Sequence, residues 1–290
     1  MLKYPYFLLA FCLLASCGPP TIDASVPKSA SLAAQTPANV WLDPAGTTIA
    51  TRFPAPEGFA RATYDEASFA HYLRHQPLKP HGSKVKLFNG KDKGNQLAHA
   101  AVLTTDVGPR DLQQCADAVM RLRAEYLYER ERYDEIHFNF VSGFNAEYGR
   151  WRKGQRIMVK GNKVSWTAGG GNTAGYKDFR RYLTMVFAYA GTASLVHELQ
   201  PKAPADIEAG DVLIKGGNPG HAVLVVDKAV NNETGEVLVL LAQSYMPAQD
   251  IHVLVNPLVG GGYPWYSLDD FGETIRTAEY TFGAGALRSF

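Results

Sequence analysis

Residues 210–227 read Gly-Asp-Val-Leu-Ile-Lys-Gly-Gly-Asn-Pro-Gly-His-Ala-Val-Leu-Val-Val-Asp. Two β-branched and aliphatic runs of strand length, Val212–Ile214 and Ala222–Val226, flank a segment of turn chemistry, Gly216-Gly217-Asn218-Pro219-Gly220. The pattern predicts two neighbouring strands with His221 at the lip of the sheet, where the second strand begins. A histidine titrates near neutrality, so one anchored there is suited to taking a proton from a nucleophile and returning it to a leaving group. A lone strand-end histidine is more often simply exposed or bonded to neighbouring backbone, so a catalytic reading of His221 requires a partner.

Outward from this segment, Val237–Gln243, Ile251–Val255 and Arg276–Phe282 continue as short strands. The preceding half has helical periodicity. Tyr64–His75 predicts a short helix, Asp111–Arg132 a long one and Phe179–Leu199 a mostly buried one. In the long helix Asp111 followed by Gln114 suits a loose capping box, and Cys115, Ala118, Val119, Leu122 and Tyr126 then share one apolar face. Lys84–Phe88, Leu97–Leu103 and Ile136–Phe140 read as strands, and Ile157–Val159 with Lys163–Trp166 as a hairpin across Lys160-Gly161-Asn162. Helices and mixed strands followed by a run of strands predict an α+β fold. Its antiparallel sheet comes mainly from the C-terminal half and packs against the helices.

The 290 residues carry 29 basic and 28 acidic side chains, a net charge of +1, so no global field points to nucleic acid. Met1–Cys17 has Lys3, an apolar run Phe7–Leu14 and small residues before a cysteine, the layout of a secretory signal peptide too short to remain as a spanning helix. Leu14-Ala15-Ser16-Cys17 resembles the lipobox of bacterial lipoproteins. That resemblance implies cleavage before Cys17, lipidation of its thiol and membrane attachment in the bacterial cell envelope, with Gly18 favouring the periplasmic side of the outer membrane. Residues 18–45 are poor in aromatic and aliphatic side chains and read as a flexible tether, leaving 46–290 as a single α+β domain. With Cys12 lost and Cys17 lipidated, Cys115 is the one free thiol of the mature chain.

Cys115 near a helix start, His221 at a strand start and Gln243 at the end of the next strand provide a thiol, a base and a group to orient the base. A helix N-terminus favours a thiolate, and Gln114 beside the thiol is a candidate oxyanion donor. Ser244, Gln249 and Asp227 are alternatives for the orienting role, and burial on the apolar face is the alternative for Cys115. The order Cys, Gly-Asp strand, Gly-His strand, polar third residue resembles the papain-like cell-wall hydrolases of the NlpC and CHAP types. That resemblance implies a cysteine peptidase or amidase acting on peptidoglycan or another envelope peptide. In those families the cysteine sits in the first helical turn, whereas a helix capped by Asp111 puts Cys115 deeper. The strings Asp-Leu-Gln-Gln-Cys-Ala-Asp-Ala-Val-Met-Arg-Leu-Arg-Ala-Glu-Tyr-Leu-Tyr (111–128), Gly-His-Ala-Val (220–223) and Ala-Gln-Ser-Tyr-Met-Pro-Ala-Gln (242–249) more closely resemble the family known as domain of unknown function 4846, which carries no activity to import. The alternative function is a non-catalytic envelope lipoprotein that uses a hydrolase-like fold as a binding or scaffolding module.

Other features point elsewhere. His71 and His75 have the spacing of zinc-protease ligands but no activating glutamate, and nothing in the sequence calls for a metal or cofactor. Arg150-Trp151-Arg152-Lys153 with Arg156 is a candidate contact for an anionic glycan or peptide, and otherwise a solvated helix end. Trp265 and Tyr266 are either groove-lining aromatics or buried anchors. The glycine-rich run 167–175 lacks the lysine of a phosphate loop and reads as a mobile loop, with a lid over a cleft as a further option.

Overall fold

The computed structural model describes residues 41–169 and 175–290. The expected signal peptide, Cys17 and the tether as far as residue 40 lie outside the described residues, as do residues 170–174 of the glycine-rich run. Packed chain reaches back to Trp41, whose ring meets Tyr263 edge-on at 5.7 Å, and to Leu42, which packs on the main core.

Helix α1 (Ile49–Arg52), strand β1 (Phe59–Arg61), helix α2 (Phe69–Arg74) and strand β2 (His99–Val102) precede the long helix α3 (Cys115–Glu129). Two hairpins follow: β3 (His137–Asn139) with β4 (Asn145–Glu147) and, after α4 (Tyr148–Arg152), β5 (Gln155–Lys160) with β6 (Lys163–Ala168). The second hairpin has the expected turn, with Gly161 at φ 59° in the first central position, where a side chain would be strained. Helices α5 (Tyr176–Tyr189) and α6 (Thr192–Glu198) lead into β7 (Gln200–Pro201), β8 (Val212–Lys215), β9 (His221–Asn231), β10 (Val237–Gln243), β11 (His252–Leu254) and β12 (Trp265–Ser267). A hairpin of β13 (Thr274–Arg276) and β14 (Thr281–Gly283) precedes the last strand, β15 (Leu287–Ser289).

The fold is mixed helix and strand around a nine-stranded sheet in the order β2-β11-β10-β9-β8-β15-β7, with β1 also on β9 and β12 also on β10. All its pairings are antiparallel. Strands β9 and β10 are long enough to be shared: His221–Leu224 pair with β8 while Ala229–Asn231 pair with β1. Side-chain alternation divides β9 between two cores. Ala222, Leu224 and Val226 join Leu240 and the Ala118, Val119 and Leu122 face of α3, whereas Val223 and Val225 join Val239, Leu241, Ile275 and Phe282 on the opposite face. Each buried aliphatic side chain contributes roughly 1.5–3 kcal/mol, so a one-residue slip that exchanged the faces is strongly opposed.

Several elements differ from the periodicity reading. Helix α3 starts at Cys115 rather than after Asp111, because the Asp111 carboxylate accepts the backbone N–H of Ala248 at 2.7 Å and is held on the loop before β11. The stretch Phe179–Leu199 is two helices. The Tyr189 carbonyl is taken by Val141 N–H at 2.9 Å, and Gly191, in extended backbone, begins the next helix with its N–H on Ser194 Oγ at 3.2 Å. Lys84–Phe88 forms isolated bridges instead of a strand, and the expected Arg276–Phe282 strand folds into the β13–β14 hairpin.

At both ends of the turn that presents His221, Gly216 and Gly220, there is no room for a side chain. A Cβ on Gly220 would lie 2.4 Å from the Gly217 carbonyl oxygen and 2.3 Å from Thr192 Oγ1, and one on Gly216 would lie 2.6 Å from Val196 Cγ1. The backbone thus approaches α6 closely just before β9 starts. Gly220→Ala is expected to destabilise the protein by about 1–3 kcal/mol through this overpacking, read as a lower denaturant midpoint. An unchanged midpoint would mean that the turn is not sterically set.

Candidate active site

Cys115 is the first residue of α3, and Gln114 is its N-cap. The Asp117 carboxylate accepts the Gln114 N–H at 3.0 Å, and Ala118 N–H is the first to bond back, to the Gln114 carbonyl at 2.9 Å. The N–H groups of Cys115 and Ala116 therefore start the helix without carbonyls one turn earlier. The thiol is half-buried rather than sealed in the core, although Ala118, Val119, Leu122 and Tyr126 of the expected apolar face are all buried.

Cys115 and His221 line one cleft of about 520 Å³. One wall is the break between α5 and α6, from Phe187 to Thr192; the others are the glycine turn at 217–220 and the side chains of Tyr245, Met246 and Tyr280. The backbone N–H of Ala222, the residue after His221, lies against the Cys115 sulfur. The His221 ring is 2% exposed and packed between Tyr245 and Tyr280, with centroids at 4.7 and 4.8 Å, above Phe282 at 5.9 Å.

Of the four candidates for orienting the histidine, Gln243 makes the contact: His221 Nε2–H donates to Gln243 Oε1 at 2.7 Å. The sheet register explains why. Ala242 faces Leu224, so Gln243 lies beside Val223 and reaches diagonally to His221 on the same face. Two of the alternatives are engaged elsewhere, Ser244 Oγ with the backbone carbonyls of Gln113 and Gln249, and Asp227 with Arg61 and Arg74. Behind Gln243 lie residues that the sequence reading did not select. Gln243 Nε2 donates to Glu279 Oε2 at 2.9 Å and lies 3.4 Å from His252 Nε2; Lys93 and Asn95 bind the Glu279 carboxylate. Alternation in β11 could have flagged His252, which pairs directly with Gln243, whereas Lys93 and Glu279 come from loops without a periodic signal.

Burial dominates the electrostatics. It pushes the Cys115 thiol up, against the opposing pull of the Ala222 N–H, so the helix start does not make a resting thiolate. Burial also pushes His221 down to about 4, with the Gln243 hydrogen bond acting the other way. At neutral pH the resting pair is a neutral thiol and a neutral imidazole.

The remaining candidates lie elsewhere or are already occupied. Gln114 lines the cleft, but its amide donates to Asp111 Oδ1 at 3.1 Å. In the basic cluster Trp151 Nε1 donates to Asp178 at 2.6 Å, Arg156 stacks on Trp151 and Arg150 on Trp166, all outside the cleft lining. Trp265 and Tyr266 are buried in the sheet, so they are anchors and not groove aromatics. His71 and His75 stack at 4.1 Å, and among the described residues no group of three or more His, Cys, Asp or Glu side chains is arranged to hold a metal.

The depressed His221 has a consequence for stability. Unfolding restores a histidine near 6.5, so this contribution is complete above that pH and is lost as pH falls from 6.5 towards 4. Stability of the wild type is expected to fall more steeply over that window than that of His221→Gln, by up to about 1.4 kcal/mol per pH unit for the one proton. Parallel urea midpoints for the two proteins from pH 7 to pH 4.5 would show that His221 is not held neutral.

No curated protein and no solved structure matches the chain. The family model described as domain of unknown function (4846) matches residues 49–289, which includes every element from α1 to β15 and each residue of the cleft. The chain belongs to that family.

Proposed function

We propose that this protein is a papain-like cysteine hydrolase, a peptidase or amidase of the bacterial cell envelope, lipid-anchored through Cys17 and acting on peptidoglycan or another envelope peptide. The observation that carries the reading is the juxtaposition of a half-buried thiol at the first residue of a 15-residue helix with a histidine oriented by Gln243, both in one open cleft. The helix start removes one departure from the papain-like families, since Cys115 occupies the first helical position; the long interval from Cys115 to His221 stays as a second. No helix among the described residues is long and apolar enough to cross a membrane.

With Nε2–H committed to Gln243, the His221 nitrogen that accepts a proton is Nδ1. As Cys115 Sγ attacks the carbonyl carbon, its proton passes to Nδ1, and the oxyanion is stabilised by the Cys115 N–H, with Gln114 a second donor on turning from Asp111. The tetrahedral intermediate collapses as His221 returns the proton to the leaving amine, giving a thioester and the free amine. Water, deprotonated by the same imidazole, then attacks the thioester and releases the carboxylic acid and the thiol.

Native protein treated with iodoacetamide is expected to be alkylated at Cys115, with His221→Ala slowing the reaction by about 10²- to 10⁴-fold, as loss of a general base does. Mass spectrometry of the tryptic peptide reads the outcome. Alkylation only after denaturation would instead identify the cleft as a non-catalytic binding or scaffolding module. Digestion of purified muropeptides is expected to release new stem-peptide products with wild type and none with Cys115→Ala; identical product profiles remove the peptidoglycan assignment. The acid limb of hydrolysis is expected near pH 4, not 6.5, because the imidazole must be neutral to accept the thiol proton.

A further inference from the structure

We propose that Glu279 is a positioning residue that sets the tautomer of His221 through the side-chain amide of Gln243. The proposal rests on the hydrolase reading for its catalytic consequence, while the tautomer itself is a property of the folded chain.

A glutamine amide has nearly the same shape in its two flipped orientations, and only its neighbours decide which end faces which way. The Glu279 carboxylate, when charged, is acceptor-only, and it receives Gln243 Nε2 at 2.9 Å. His252 supplies the second constraint. Its Nδ1–H donates to the Asp250 carbonyl at 2.9 Å, so its Nε2 presents a lone pair, 3.4 Å from the same Gln243 nitrogen. Both neighbours on that side are therefore acceptors. A flipped amide would set its oxygen against a carboxylate and a ring lone pair, with Gln243 2% and His252 0% exposed. The unflipped amide aims Oε1 at His221 Nε2, which must then carry the hydrogen, and Nδ1 is left as the basic nitrogen.

This polarity requires a charged Glu279, and its surroundings supply one. Lys93 Nζ binds Oε2, and Asn95 Nδ2 donates to Oε1 at 3.1 Å. Burial works against the charge, but the Lys93 ammonium, in hydrogen-bond contact, holds the carboxyl below its ordinary range. Glu279 sits in the turn between β13 and β14, next to Tyr280, so one hairpin provides both the stacking wall of the His221 ring and the anion that orders its proton. The ion pair with Lys93 thus acts two links away from the imidazole.

The test is ¹⁵N NMR of the full-length protein labelled in its histidine rings, at pH 7, with His221 assigned from His221→Gln. Wild type is expected to show a protonated Nε2 and an unprotonated Nδ1. Glu279→Gln, whose amide donates as well as accepts, is expected to mix the two tautomers and to slow iodoacetamide alkylation of Cys115 by about 10- to 100-fold. Glu279→Asp keeps an acceptor-only group and is expected to restore the wild-type ring signals in part. A wild-type His221 protonated on Nδ1 overturns the proposal whether or not any variant folds. So does a folded Glu279→Gln protein with wild-type ring signals. Tautomer mixing in Glu279→Gln together with an unreactive Cys115 in wild type supports the positioning role and defeats the hydrolase reading alone.

Discussion

Strands β9 and β10 pair from Val237 opposite Val230 to Ala242 opposite Leu224, with one irregularity at Leu240 and Leu241. Because successive side chains face opposite ways, this register assigns each residue of the two most buried strands to one of two cores. It also decides the chemistry at their ends. The same alternation that buries Val223 and Val225 beneath the β13–β14 hairpin carries His221 and Gln243 onto that face, one diagonal step apart. Helix α3 packs on the other face and brings its first residue over the end of β9, where the Ala222 N–H meets the sulfur. The cleft thus opens where the end of β9 and the start of α3 meet, with the surrounding loops as its walls.

Much of this was legible in the residues. The aliphatic runs of β8, β9 and β10 and the glycine-rich turn between the first two placed His221 at the sheet lip within a residue or two, because apolar β-branched runs and turn glycines have few other uses. Gln243 was recognisable as the end of β10 and as a candidate to orient His221, but choosing it over Ser244, Gln249 and Asp227 depends on register. The start of α3 was misread because Asp111 has the right spacing for a cap, and its actual partner, Ala248, is 137 residues away. The division of α5 from α6 was hidden by continuous apolar character, yet it forms one wall of the cleft. Glu279 and Lys93 were invisible for the same reason: two loop charges become a buried pair only when distant segments meet.

The neighbourhood of the thiol contains two opposing tendencies. The N-terminus of a helix and the Ala222 N–H favour a thiolate, while burial of the sulfur favours the thiol and prevails. Asp117 does not supply a fixed charge that would change this balance, because complete burial holds its carboxyl well above the usual range. Burial likewise keeps His221 from charging. A thiolate–imidazolium pair would have to place two charges where the protein provides mainly aromatic rings, and rings stabilise an imidazolium only weakly compared with a carboxylate in contact.

A neutral resting pair makes a specific demand on the proposed chemistry. A preformed thiolate needs no base at the moment of attack, and the orientation of the imidazole then matters mainly for the leaving group. A neutral thiol must lose its proton as the carbon–sulfur bond forms, so the basic lone pair has to face the sulfur before the reaction begins. With the wrong tautomer the ring would present an N–H to the thiol and the step would stall. A buried Gln243, held by a carboxylate that is itself held by Lys93, removes that wrong tautomer from the resting ensemble. The depth of the polar network behind His221 is therefore what the electrostatics of the cleft require: the less the thiol is activated by charge, the more the base must be ordered in advance.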